Sequence, residues 1–236
     1  MLESLRNKRI MVVVAHPDDE LLGLGASMHR LIKEYGVTTH VVILGEGITS
    51  RSDERDVTKW EAELAIHRQN IKNAQAAIGF HSVSIYDFAD NRFDTVALLD
   101  IIKVIEKEKS AFNPEVIFTH HGGDVNVDHQ RTFEAVVTAC RPMQHEKVKT
   151  IIAFETPSGT EWRASTDPRH FIPNFFINVS EEDVQAKIKG MESYEFEKRP
   201  YPHPRSPEAL TIQAQRWGVA VGADYAEAFN IVRCIN

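Results

Sequence analysis

Cysteine is nearly absent from this 236-residue sequence, with only Cys140 and Cys234 present. A pair so far apart gives neither a disulfide framework nor a Cys-x-x-Cys metal site, and such usage suits reduced thiols in the cytoplasm. Long apolar runs are missing too. No stretch reaches the roughly eighteen apolar residues that a bilayer-crossing helix needs. The N-terminal segment MLESLRNKRIMVVVAH holds only about six apolar residues in a row, too few for a signal-peptide core and enough for a buried strand. Basic charge is in deficit: 27 Lys and Arg stand against 34 Asp and Glu, for a net charge of -7. That balance lacks the electrostatic footprint of a nucleic-acid binder. Gly23 and Gly25 follow the first apolar run without completing Gly-x-Gly-x-x-Gly, so the dinucleotide fingerprint is also missing.

What is present is ordinary globular material. Hydrophobic residues make up 42% and charged residues 26%, sufficient for a real core in a single domain of this length. Strand-length apolar runs alternate with helix-period segments. Arg9–Val14 reads as the first strand, and Leu21, Leu24, Met28 and Leu31 then recur at helical spacing. His40–Leu44 is a second strand. A long helix runs from Trp60 to Ile78, stopped by Gly79. Val83–Tyr86 is a third strand. Asp94 or Thr95 is placed to cap a helix carrying Val96, Leu99, Ile102 and Ile105, which Asn113-Pro114 breaks. Val116–Thr119 is a fourth strand, followed by a helix with Phe133, Val136, Val137 and Cys140 on one face; Thr150–Phe154 is a fifth strand. The alternation predicts an α/β fold: a Rossmann-like, mostly parallel sheet flanked by helices.

After Thr156 the pattern weakens. Residues 157–173 are rich in turn formers. Asn174–Val179 suits a further strand, and Ser180 suits the cap of a helix over Glu181–Tyr194. Pro200–Ala209 contains four prolines and is expected to be irregular, with a last helix over Ala209–Gly218. We expect one domain over 1–236, with a core over 1–155 and a C-terminal cap over 156–236.

Ligands of open parallel sheets bind beyond the carboxyl ends of the strands. Two such ends carry unusual residues here. The first strand runs into Ala15-His16-Pro17-Asp18-Asp19-Glu20, the fourth into His120-His121-Gly122-Gly123-Asp124-Val125-Asn126-Val127-Asp128-His129. Imidazole and carboxylate are the ligands of catalytic zinc, which uses three protein donors and keeps one position for water. His16 and Asp19, three apart in a strand-to-helix turn, can point to one side, and His129 completes the tripod. Asp18 is left as general base toward the water. His67 falls on the apolar stripe of its helix and reads as a satisfied core histidine; of His120 and His121, neither is needed as a ligand. Glu155, at the end of the fifth strand, is a candidate for binding substrate hydroxyls. Trp162 is a candidate for stacking on a sugar face or for a place in the core.

The AHPDDE segment together with the later Asp-x-Asn-x-Asp-His resembles the PIG-L/LmbE-like de-N-acetylase family, over about the first 155 residues. The resemblance implies that His16, Asp19 and His129 hold zinc; a donor set of two histidines and one aspartate also accepts iron(II) or manganese in the cell. The resemblance also implies Asp18 as the base in removing an N-acetyl group from an amino sugar, free or nucleotide-linked. Many members carry His-Pro-Asp-His at the second motif, and its first histidine helps stabilise the oxyanion. Asn126 stands there in this sequence; an amide donates a hydrogen bond but cannot shuttle a proton. His203, between Pro202 and Pro204, is the candidate replacement for the acid role. Asp128 is expected to accept the second N–H of a metal-binding histidine. Arg51 and Arg68 are the candidates for the family's substrate-binding arginine. The rival readings are an amidase of a thiol-sugar conjugate, a phosphoester hydrolase, or a non-catalytic sugar- or nucleotide-binding module; Asp18 beside the metal donors favours an enzyme.

Overall fold

Nearly continuous apolar strands suit a sheet covered on both faces, and that is how they are used. The structure, a computed structural model, describes residues 1–52 and 55–235. Its strands are β1 (Arg9–Val14), β2 (Thr38–Gly45), β3 (Ser82–Phe88), β4 (Val116–His120), β5 (Thr150–Phe154), β6 (Phe175–Val179) and β7 (Tyr225–Cys234). The helices are α1 (Asp19–Tyr35), α2 (Glu61–Ile78), α3 (Leu98–Phe112), α4 (Val127–Ala139), α5 (Glu181–Glu192) and α6 (Pro207–Val221). One sheet holds all seven strands in the order β3-β2-β1-β4-β5-β7-β6. β1 through β5 pair in parallel, while β7 runs antiparallel to both β5 and β6.

The two faces of β1 lead into two cores. Ile10, Val12 and Val14 pack with apolar residues of α1, α2, α5 and α6. Met11, Val13 and Ala15 pack with Ile101 and Ile105 of α3 and Ala135 and Val136 of α4. Gly23 explains how closely α1 lies on the sheet: a Cβ there would sit 2.1 Å from the Phe154 ring. That glycine serves packing, not phosphate binding.

Several helix starts differ from expectation. Asp94 and Thr95 lie in a short 3-10 turn, Phe93–Thr95, and α3 begins only at Leu98. Leu99 accordingly points outward, 59% exposed. α4 starts four residues into the second motif, with Asn126 as its N-cap and His129 in its first turn. Pro207 opens α6 with Ser206 as the cap; a proline at the first helical position leaves no intrahelical N–H unsatisfied. The sequence pattern does not announce β7, because the buried Glu227, its third residue, disguises an inward-facing position. Lys187 Nζ donates to that carboxylate at 2.7 Å and to the Leu22 carbonyl at 2.8 Å, just before the kink of α1 at Leu24. The residues after 155, expected as a cap, thus supply two strands of the sheet as well as α5 against α1 and α2. Both cysteines are unpaired, and no helix among the described residues is long and apolar enough to cross a membrane.

Candidate metal centre and catalytic cleft

β1 is flanked by β2 on one side and β4 on the other, so the chain reverses its direction of travel across the sheet there. A crevice at the carboxyl ends of such strands is the usual ligand position in this architecture. The first motif turns sharply into α1. Asp18 adopts φ 104°, a left-handed conformation uncommon for a residue with a side chain. Its N–H donates to Glu20 Oε2 at 3.1 Å, and Glu20 in turn accepts from the Tyr194 hydroxyl at 2.6 Å and from Gln75. Burial raises the pKa of Glu20 to about 7. The last acid of AHPDDE is therefore a buried clamp on the turn.

The turn brings His16 and Asp19 together. Asp19 Oδ2 accepts from the His16 backbone N–H at 2.8 Å. The same oxygen lies 3.4 Å from His16 Nδ1 and 3.4 Å from Nε2 of His129, presented by the first turn of α4. All three donors are buried or nearly so. Ligand atoms about 2.0–2.1 Å from a tetrahedral zinc lie about 3.3–3.4 Å from one another. The separations around Asp19 have that value, and they are too long for strong hydrogen bonds. The donor set and its spacing fit a divalent metal ion.

The surroundings hold these donors in place. Asp128 Oδ2 accepts from His16 Nε2 at 2.8 Å, and the Asp128 carboxylate also takes the backbone N–H groups of Asn91 and Phe93. This orients His16 and leaves Nδ1 for the metal. Asp124 Oδ2 lies 3.2 Å from His129 Nδ1, but off the line of a hydrogen bond, so that ring nitrogen is a buried donor without a partner among the described residues. Its ring stacks on His120 with centroids 3.9 Å apart. His120 Nε2 accepts from the Ala15 N–H at 2.9 Å and Nδ1 donates to Thr156 Oγ1 at 3.0 Å. Both nitrogens of His120 are thus occupied, and it buttresses the centre instead of ligating.

Electrostatics follow from burial among carboxylates. Burial pushes His129 toward neutrality, but Asp19 and Asp124 outweigh it and raise its pKa to about 9. His16 behaves alike: burial is opposed and overcome by Asp128, Asp19 and Asp90, and its pKa is raised. Burial would raise Asp19, but His129 and His120 hold its carboxyl below the usual range. His120 is kept neutral by burial, its pKa near 4.

The cleft has a volume of about 130 Å³ and is lined by His16, Asp18, Asn126, His129, Arg51 and Arg205, among others. Asp18 is 2% exposed, and its Oδ2 accepts from Arg205 Nη1 at 2.8 Å. Burial raises the Asp18 pKa, with Arg205 opposing and Glu197 reinforcing the shift. Asn126 faces the cleft with its side chain committed: Oδ1 caps α4 through the Asp128 N–H, and Nδ2 donates to Asn91 Oδ1 at 3.1 Å. Arg51 reaches the cleft but is paired with Glu197 and donates to the Phe196 carbonyl at 3.1 Å.

Other candidates lie elsewhere. Arg68 lines a larger neighbouring cavity of about 440 Å³ that shares Pro17 with the cleft and carries none of the three metal donors. His67 borders that cavity too; it is 2% exposed with neither ring nitrogen hydrogen-bonded, so it is buried but not satisfied. His203 lines an adjoining groove beside Trp162, where its Nδ1 accepts from the Arg205 backbone N–H at 3.2 Å. Trp162 is 58% exposed, on the rim and not in the core. Glu155 points away from the cleft, into a pocket with Gln213 and Trp217, both of which donate to its Oε1.

Burial raises the pKa of Glu155 to about 7. A raised carboxyl pKa contributes stability that is fully present below the unfolded value near 4.5 and is lost as pH rises through 7. At pH 8 the ionised form costs on the order of 3 kcal/mol relative to an unshifted carboxyl. Glu155→Gln is expected to remove that loss, so that thermal melts of variant and wild type diverge between pH 5 and pH 8 in favour of the variant. Parallel melting curves across that range would show that Glu155 ionises without cost.

Arg205, Glu197 and Asp90 carry no local sequence signal, and Asp124 stands in the second motif without a role that the sequence assigns. Arg205 sits in a proline-rich stretch 187 residues from Asp18, and only the fold brings the two together.

The profile of the family PIG-L: GlcNAc-PI de-N-acetylase matches residues 11–140, a span holding both motifs. The chain belongs to this family. Among curated relatives, the uncharacterized deacetylase YaiS of Escherichia coli K12 is 29% identical over 200 residues, covering 82% of this chain and 95% of that protein. A probable N-acetyl-α-D-glucosaminyl L-malate deacetylase 2 of Bacillus cereus is 27% identical over 158 residues, covering 65% of this chain and 70% of that protein. Among solved structures, the 4-carboxy-2-hydroxymuconate hydratase GalB of Pseudomonas putida KT2440 superposes with a TM-score of 0.71 at 21% identity, covering 97% of this chain and 98% of that one. That likeness is one of fold.

Proposed function

We propose that this deacetylase-family protein is a zinc-dependent N-deacetylase of an amino sugar or sugar conjugate. The observation that carries the reading is the buried group His16, Asp19 and His129, in which Asp19 Oδ2 lies 3.4 Å from a ring nitrogen of each histidine, with the Asp18 carboxylate beside it in one cleft. The family's description and the name of the Bacillus cereus relative support an N-acetylglucosamine unit as the reacting part. The hydratase among the fold neighbours is a reminder that architecture alone does not fix chemistry.

Bound at His16, Asp19 and His129, zinc would supply a Lewis acid for the acyl oxygen and lower the pKa of water to roughly 7. The other steps fall to the chain. Asp18, held by Arg205, takes a proton from water as a C–O bond forms at the carbonyl carbon. The carbonyl π electrons move onto oxygen. They then return, the C–N bond breaks, and the nitrogen takes the proton from Asp18. Acetate and a free amine leave. We assign proton delivery to Asp18 because His203 lies in the adjoining groove, and we keep His203 as a residue that holds the Arg205 backbone. Asp128 orients His16 through a hydrogen bond, and Asp124 places its negative charge 3.2 Å from Nδ1 of His129. The cleft is too small for a whole sugar conjugate, so the acyl group and part of one ring enter it, with Arg51 at its mouth.

The deciding measurement is acetate release by zinc-loaded protein from N-acetylhexosamines, free, malate-linked and nucleotide-linked. Release from at least one of them is expected, and dialysis against a chelator should abolish it. Metal-loaded protein that releases acetate from none, yet hydrolyses a thiol-sugar amide or a phosphoester, would replace this reading with a rival.

A further inference from the structure

We infer that Arg205 is a catalytic residue of this site: its free guanidinium edge binds the oxyanion of the tetrahedral intermediate, at the task the family gives to a histidine that this chain replaces with Asn126. The inference rests on the deacetylase reading above.

The first ground is that Asn126 is spent. Its oxygen caps α4 and its nitrogen donates to Asn91; turning the amide toward a substrate would uncap the helix that carries His129. Two further small side chains on that side of the cleft are also engaged. Ser50 Oγ donates to Asp90, and Asn91 Nδ2 donates to Ser50 Oγ and Asp90. A site that generates an oxyanion needs a fixed donor aimed where that charge develops.

The second ground is how Arg205 is held. Nε donates to Ser158 Oγ at 2.8 Å. Nη1 donates to Asp18 Oδ2 at 2.8 Å and to Glu197 Oε2 at 2.6 Å. Nη2 has no partner among the described residues, and the side chain lines the same cleft as His16 and His129. Three donated hydrogen bonds from two faces of a planar fork fix the direction of the third face. The side chain is 22% exposed, so an immobilised cation with spare N–H groups borders the space beside the base.

The third ground is charge. Asp18 and Glu197 alternate with Arg205 and Arg51 along one wall of the cleft. When water adds to the carbonyl, its proton neutralises Asp18 and negative charge appears on the former carbonyl oxygen. Arg205 loses one anionic neighbour as another forms within reach, so its donors engage the transition state more strongly than the bound substrate. Preference of that kind accelerates the chemical step instead of tightening binding. Arg51 is 33% exposed and touches neither Asp18 nor the metal donors; it serves as the control.

The test compares Arg205→Gln, Arg205→Lys and Arg51→Gln, each checked for metal content and thermal melting. Two readouts are taken on zinc-loaded protein: kcat and KM for acetate release, and calorimetric affinity for methylphosphonate, a tetrahedral oxyanion of about the size of a hydrated acetyl group. Loss of one oxyanion donor typically costs about 10²–10³ in kcat. Arg205→Gln should show that fall with KM changed less than about threefold, and should weaken methylphosphonate at least tenfold. Arg205→Lys should recover part of both, and Arg51→Gln should move KM more than kcat. Wild-type methylphosphonate affinity in Arg205→Gln would overturn the assignment, as would a rise in KM at constant kcat. The methylphosphonate comparison needs no turnover. If wild type releases no acetate the deacetylase reading fails, and an unchanged phosphonate affinity in the variant then refutes the oxyanion site separately.

Discussion

Asp18→Asn is expected to keep its metal and lose its turnover. Asp18 lies outside the triad that gathers on Asp19 Oδ2, so metal content should stay at the wild-type level. The amide occupies the same volume and accepts a hydrogen bond from Arg205, but it cannot take a proton from water. Removing a general base typically costs about 10²–10⁴ in rate, and we expect a fall of kcat in that range with KM nearly unchanged. Asparagine is also the right substitution on backbone grounds. Position 18 has φ 104°, and asparagine tolerates positive φ better than most residues, whereas alanine would add strain to the loss of the base. Metal analysis and steady-state kinetics on the same preparation decide the matter. A metal-free Asp18→Asn protein would move Asp18 into the ligand set. Full turnover with metal bound would remove it from the chemistry.

What the sequence discloses and what it conceals divide along a physical line. His16, Asp18, Asp19 and His129 sit where a strand ends and a helix begins, and local chain geometry already confines them to one side of the sheet. Their assembly needs only the parallel pairing of β1 with β4, which the apolar runs foretell. Asp128 follows from the habit of metal-bound histidines. The other wall is different in kind. Arg205 and Glu197 come from irregular chain after α5, and no periodicity announces where such chain folds. Glu155 shows the converse case. It stands one residue before Thr156, which does line the cleft, but successive side chains leaving a strand point to opposite faces. β7 was hidden by burial of a charge: Glu227 looks like a surface residue until Lys187, 40 residues earlier, is found against it. Local rules thus locate the metal centre, while long-range ion pairs complete the cleft and the far edge of the sheet.

His129→Ala should lose the metal itself. Of the three donors, two come from the turn after β1, and His129 alone ties the centre to α4 and hence to the other side of the crevice. Changing a residue that merely orients a ligand typically costs 10–100-fold in metal affinity, and deleting a ligand should cost more than about 100-fold. Wild type dialysed against metal-free buffer should retain zinc under conditions where His129→Ala retains less than about a tenth as much. Proton release gives an independent reading. Without metal, burial disfavours the charged His129 ring but Asp19 and Asp124 prevail, so its pKa is about 9 and it is protonated at pH 7. Zinc must displace that proton. Wild-type affinity should therefore weaken as pH falls from 9, and calorimetry of zinc binding to wild type at pH 7 in two buffers of different ionisation enthalpy should show proton release. Zinc should also raise the melting temperature of wild type, as any ligand selective for the native state does, and leave that of the variant nearly unchanged. A variant that binds zinc with wild-type affinity would mean that the metal uses His16 with Asp90 and Asp128, a second group of donors within reach of one another among the described residues. The His16 ring would then serve through Nε2 instead of Nδ1, placing the reacting acyl group on the opposite side of that ring from Asp18.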